Sequence, residues 1–251
     1  MRAAAAALLV LLATLPAGAA EVVAKLSQTR VAISTGFAGS ELFVYGAIRR
    51  DPALTEPLDI IVAVTGPSEP VIVRRKERRM GVWVNAEGVQ VDAAPSLYGI
   101  ATTGPFYDII SHTQDLIHHV GLDQAVLLIG SPHYDEYPED HRKALIRLRT
   151  EQGLYFEKIG GVTVTDNILF EASLALPGQI VEGDYRARVL LLRDKEVIDS
   201  FEDTIFVRRV GLERFVYNLA QEQPVVYGAG SILLALAAGW LASALFRVLL
   251  P

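Results

Sequence analysis

Residues 169–207 read LFEASLALPGQIVEGDYRARVLLLRDKEVIDSFEDTIFV. Apolar and polar side chains alternate along Leu169–Leu176, Tyr185–Leu192 and Ser200–Val207, the period of a strand with one face buried. Pro177-Gly178 and Gly183 separate the first two runs, and Arg193-Asp194-Lys195-Glu196 forms a hairpin tip between the last two. Val162–Thr165 adds a short strand upstream. Toward the N-terminus the same alternation recurs at Arg30–Ser34, Glu41–Ile48, Asp59–Thr65, Val71–Arg74 and Gly81–Asn85. Gly36, Gly39, Pro52, Pro57, Gly66-Pro67 and Pro70 punctuate these runs at intervals of roughly ten residues, the spacing of a β-sandwich.

Neither block supplies the roughly seven strands that such a sandwich needs, but the two together do. The expected fold is therefore mainly β: an Ig-like β-sandwich whose first part is 20–94 and second part 159–209, with 95–158 inserted as a helical subdomain. Two small separate domains are the alternative. The stretch Gly183-Asp184-Tyr185 after Leu176-Pro177-Gly178 matches the entry to a late sandwich strand, where a tyrosine hydroxyl bonds to upstream backbone.

The insertion shows helical spacing. After Pro105, the residues Phe106, Ile109, Ile110, Thr113, Leu116, Ile117 and Val120 recur at i, i+3, i+4 and i+7, and Gly121 stops the helix. A second helix is expected from Pro138-Glu139-Asp140 to Gln152, its acids facing the N-terminal dipole. Residues 210–223 carry Leu212, Phe215, Val216 and Leu219 at amphipathic spacing, a helix lying on a bilayer or a short linker.

The two ends hold the apolar excess that raises the mean hydropathy to +0.31. Residues 1–19 combine Arg2, an apolar run from Ala3 to Leu15, Pro16 and Ala17-Gly18-Ala19, the pattern of a secretory signal peptide. Between Glu222 and Arg247 lie 24 residues without a charge. At about 1.5 Å per residue they span the roughly 30 Å hydrocarbon core, so 224–247 is expected to cross the bilayer and 248–251 to form a cytoplasmic tail. This topology places the N-terminal domain in the periplasm and the chain in the inner membrane, with Arg247 on the inside. Within the span Ser231, Ala235, Gly239 and Ser243 fall at every fourth position, a face along which a second helix can pack.

The chain of 251 residues has a formal net charge of −6, which argues against nucleic acid as a partner, and 51% hydrophobic residues, which argues against disorder. It lacks cysteine, so disulfides, thiolate metal sites and cysteine nucleophiles are excluded. Against this acidic background, Arg74-Arg75-Lys76-Glu77-Arg78-Arg79 is the one dense basic run. Arg74, Arg75, Arg78 and Arg79, with Trp83 as an anchor, form a candidate recognition patch for an anionic ligand, partner or lipid head group; a solvated hairpin or edge strand is the usual explanation of such a run.

On one continuous helix, Asp108, His112, Asp115 and His119 would share a narrow sector. They form a candidate divalent-metal set, which His133 and His141 would extend in a metal-dependent hydrolase. A solvated polar face is the simpler reading. The sequence has no GxSxG, Walker A, GxGxxG or SxxK motif, so the expectation is a non-enzymatic protein without a cofactor.

The segments KLSQTRVAI (25–33), FAGSELFVYGAI (37–48), IIVAVTGP (60–67), VRRKERRMGVWVN (73–85), ALIRLRTEQGLY (144–155) and YGAGSILLALAAGWLASALFR (227–247) resemble an uncharacterised transmembrane protein family of alphaproteobacteria. The resemblance implies an inner-membrane protein with a periplasmic domain, and an accessory role beside a polytopic transporter such as an anion permease. It carries no catalytic residue. Self-association through the membrane helix is the remaining partner reading.

Overall fold

The computed structural model describes residues 20–49, 57–126 and 138–249; the expected signal peptide lies outside them. Two compact units emerge, one from the described parts of 1–31 and 37–207, the other from 32–36 with the described part of 208–251.

In the first unit, β1 (Glu21–Leu26), β3 (Gly39–Arg49), β10 (Leu169–Pro177) and β9 (Val162–Thr165) form an antiparallel sheet in that order. Strands from both sequence blocks thus share one sheet. The alternating residues fall into register: Val22 opposes Ile48, Leu26 opposes Val44, Ala172 opposes Val44 and Leu174 opposes Leu42, all buried. Burying each large aliphatic side chain stabilises the fold by about 1.5–3 kcal/mol. Gly46 lies between Ala24 and Phe170 in this register, and a Cβ there would stand 2.2 Å from the Val23 carbonyl oxygen. Only glycine lets the strands and the Phe170 ring approach so closely.

The second sheet runs β2 (Arg30–Ile33), β12 (Glu196–Arg209), β11 (Gly183–Arg193), β4 (Asp59–Thr65), β7 (Tyr98–Thr102) and β8 (Tyr155–Ile159). β1 packs on β11 and β10 on β7, closing the sandwich. The turn between β11 and β12 sits where the sequence placed it; Asp194 and Lys195 both have positive φ, the mirror-image turn that suits a twisted two-residue hairpin.

The insertion differs from expectation in two ways. First, residues 95–158 are not purely helical, because β7 and all but the last residue of β8 lie within them and pair in parallel, Tyr98 opposite Tyr155 and Thr102 opposite Ile159. A parallel pair needs a long crossover, and the helices provide it. All five residues of β7 are buried, so the strand shows no alternation for a sequence reading to detect.

Second, the helix expected from Pro105 to Val120 is broken. It consists of α1 (Phe106–Ile109) and α2 (His112–His118), separated by extended Ile110 and by Ser111, whose hydroxyl accepts from the Gln114 N–H at 3.3 Å. Phe106, Ile109, Ile110 and Val120 are buried as expected, but Leu116 and Ile117 are exposed and Asp115 is buried instead. The Asp115 carboxylate accepts the Gly121 N–H at 2.6 Å, which turns this side of α2 inward. α3 (Leu122–Ala125) and α4 (Pro138–Glu151) complete the described part of the crossover.

In the second unit, α5 (Leu212–Glu222) settles the juxtamembrane segment as a helix, and α6 (Pro224–Leu249) follows directly. Pro224 occupies the first position of α6, where its missing N–H costs nothing. Ile232, Leu233, Leu234, Leu236, Trp240 and Leu241 are all exposed, as an apolar helix that faces lipid requires.

Candidate recognition surface

β5 (Ser68–Arg79) and β6 (Val82–Pro95) form a separate two-stranded ribbon. Its base is held by buried Val73, Val91 and Ala94, with α4 packed on both strands. Beyond the base, from Arg74 to Asn85, no side chain is buried. At the turn Met80 has φ of 50° and Gly81 of 84°, and Met80 is fully exposed. Val82 and Trp83 follow with 64% and 66% of their surface exposed, the apolar tip of an otherwise charged ribbon.

The pairing register divides the basic run between two faces. Arg79 opposes Val82 and Glu77 opposes Val84, whereas Arg78 opposes Trp83 and Lys76 opposes Asn85. Directly opposed residues project to the same side, and neighbours along a strand to opposite sides. On the first face Glu77 takes ion pairs from Arg75 at 3.0 Å and Arg79 at 3.3 Å. Hydrogen bonds from those two guanidiniums hold the Glu77 carboxyl below its ordinary range.

The other face carries Ile72, Arg74, Lys76, Arg78, Trp83 and Asn85. Arg74 opposes Gly88, and a Cβ on Gly88 would lie 2.7 Å from both Arg74 Cγ and Ile72 Cγ2, so the glycine leaves room for the two side chains. Among the described residues, no ion pair engages Arg74, Lys76 or Arg78. The structure therefore brings Arg74, Arg78 and Trp83 together and sets Arg75 and Arg79 apart, both ion-paired to Glu77. Lys76 joins the cationic face. The alternation along VIVRRKERR was the signal for this division.

Ser231, Ala235, Gly239 and Ser243 lie on α6 at every fourth position. The Ser231 hydroxyl donates to the Tyr227 carbonyl at 2.8 Å, so it is satisfied within its own helix. A Cβ on Gly239 would meet nothing within 4 Å, so this position faces open space.

The proposed metal set does not occupy one helix face. Asp108 belongs to α1, His112 and Asp115 to α2, and His119 is the left-handed cap that ends α2. Asp115 is turned inward to Gly121. Among the described residues, no group of three histidine or carboxylate side chains is placed to hold a metal ion. His133 lies outside the described residues, and His141 is on α4. The break at Ile110–Ser111 is the physical reason that the i, i+4 geometry fails.

Buried Tyr98 and half-buried Arg188 beside the crossover serve the fold. The Tyr98 hydroxyl donates to the Val120 carbonyl at 2.7 Å, and the Arg188 guanidinium donates to the carbonyls of His118 and His119. Burial pushes the Tyr98 hydroxyl up to about 12.

A β-rich domain on a chain with, among the described residues, one apolar helix long enough to cross a bilayer defines the class: a membrane protein with an apolar helix at its C-terminus. The chain belongs to the family described as "Putative transmembrane protein (Alph_Pro_TM)", whose model matches residues 21–248. No curated protein matches it. Among solved structures, the sporulation control protein Spo0M of Bacillus subtilis is similar at 11% identity and a TM-score of 0.30, over 82% of this chain and 56% of that one. The chain spans little more than half of that protein's length.

Proposed function

We propose that this chain is a non-enzymatic, single-pass inner-membrane protein that serves as an accessory subunit of a polytopic membrane protein such as an anion permease. Its β-rich domain lies in the periplasm and its C-terminus in the cytoplasm. α6 docks through the Ser231, Ala235, Gly239 and Ser243 face, while the cationic face of the β5–β6 ribbon recognises an anionic surface. The observation that carries this reading is the recurrence of the small residues Ser231, Ala235, Gly239 and Ser243 at every fourth position of α6. In lipid, where apolar burial does not drive association, the close backbone approach that small residues allow is the main source of helix pairing.

Purification of the full-length protein from native membranes in mild detergent tests the reading. A polytopic protein is expected to accompany the wild type and to fall roughly tenfold in yield when Ala235 and Gly239 are replaced by leucine. Recovery of this chain alone, or a partner retained unchanged by the double variant, would overturn the accessory role.

A further inference from the structure

We infer that the tip of the β5–β6 ribbon docks on the anionic head groups of the bilayer in which its own chain is anchored. This deepens the reading of the ribbon as a recognition surface by naming its counterpart as lipid. Three observations support it. Arg74, Lys76 and Arg78 present three cations on one face without an ion pair among the described residues, while Glu77 is held on the opposite face by Arg75 and Arg79. The chain as a whole is acidic, with a net charge of −6 even with these cations included, so a negative surface repels the body and attracts this face. At the end of the ribbon, Met80, Val82 and Trp83 are exposed together. An aromatic ring beside aliphatic side chains and cations is the composition that partitions into the head-group region, where the ring and the alkyl stems contact acyl chains and the charges stay with phosphate.

The shape of the ribbon favours lipid over a protein partner. A stable protein interface buries about 800 Å² per partner around a desolvated anchor ringed by other contacts. Among the described residues the tip is a two-stranded ribbon with no buried side chain from Arg74 to Asn85, so it supplies no desolvated anchor of that kind. A fluid head-group layer closes around such a tip without a preformed pocket. Anchorage through α6 also keeps the bilayer at a high effective concentration, so even weak docking is populated.

The chain has two tryptophans, Trp83 and Trp240, so full-length protein carrying Trp240→Phe reports Trp83 alone. It is reconstituted in nanodiscs of phosphatidylcholine, or of phosphatidylcholine with phosphatidylglycerol, each with and without acyl-chain bromination. Blue-shifted Trp83 emission and bromine quenching are expected in the discs with phosphatidylglycerol and not in pure phosphatidylcholine. The triple variant Arg74→Gln, Lys76→Gln, Arg78→Gln should lower the ratio of docked to free ribbon about 100-fold. Raised salt should act in the same direction.

Equal quenching in both lipids, or none in either, would overturn the inference. A blue shift present in native membranes but absent from discs of pure lipid would assign the ribbon to a protein partner and overturn it equally. Because these discs contain no other protein, failure here leaves the accessory role to be judged by its own co-purification.

Discussion

Tyr185 shows how much one side chain can fix. Its hydroxyl donates to the Val181 carbonyl at 2.9 Å and accepts the Val181 N–H at 3.2 Å, closing the loop between β10 and β11 on itself. The ring is fully buried, so the two bonds are made where water cannot replace them. Tyr185→Phe keeps the packing and loses both bonds, with an expected cost of about 1–2 kcal/mol in urea unfolding. A variant as stable as the wild type would show that the loop is held by other contacts. The reading of Gly183-Asp184-Tyr185 as a strand entry was legible because glycine, acid and tyrosine each have a local role there. The buried role of Asp115 was not legible: nothing local marks it apart from the other acids of its segment, and its partner Gly121 lies beyond the end of the helix.

At the scale of elements, the break between α1 and α2 decides what the histidines and carboxylates of this segment can do. Extended Ile110 and the Ser111 cap separate Asp108 from His112, Asp115 and His119. Ser111→Ala removes the side-chain acceptor for the Gln114 N–H and should destabilise the protein by about 1 kcal/mol, read as a lowered urea midpoint with an unchanged slope. An unchanged midpoint would mean that the backbone bond from the Ser111 N–H to the Lys195 carbonyl alone fixes the break. The ribbon makes the opposite point. Its charges looked like one patch in the sequence, and the two-residue periodicity of β5 resolves them into an ion-paired face and one whose cations are unpaired among the described residues. Helical spacing in 105–120 was a weaker guide, since a serine within the pattern is also a start signal and the sequence does not say which role prevails.

For the whole molecule, three tyrosines buried in the first unit govern its behaviour in alkali. Burial raises the hydroxyls of Tyr98, to about 12, and of Tyr155 and Tyr185 above the ordinary value of 10.0. The folded chain therefore holds these protons more tightly than the unfolded chain. Their contribution to stability is complete below pH 10 and is lost as pH rises toward 12. Urea midpoints measured across that window should fall, and the tyrosinate absorbance of these residues should appear with unfolding rather than before it. Midpoints that stay level would show that the three hydroxyls ionise in the folded state without penalty.

The sequence by itself determined the features that depend on neighbours along the chain. Alternation marked the half-buried strands such as Glu41–Ile48 and Tyr185–Leu192, a charge-free run marked the membrane-type helix, and the Asp194-Lys195 tip marked its hairpin. Tertiary structure alone decided the features that depend on what covers a segment. β7 is invisible to alternation because both of its faces are buried, and its parallel pairing with β8 joins residues more than fifty positions apart. The same holds for the mixing of early and late strands in one sheet and for the inward turn of Asp115. Local periodicity records one exposed face and one buried face; when packing covers both, or turns a polar residue inward to satisfy a backbone group, the pattern no longer reports which side faces the core.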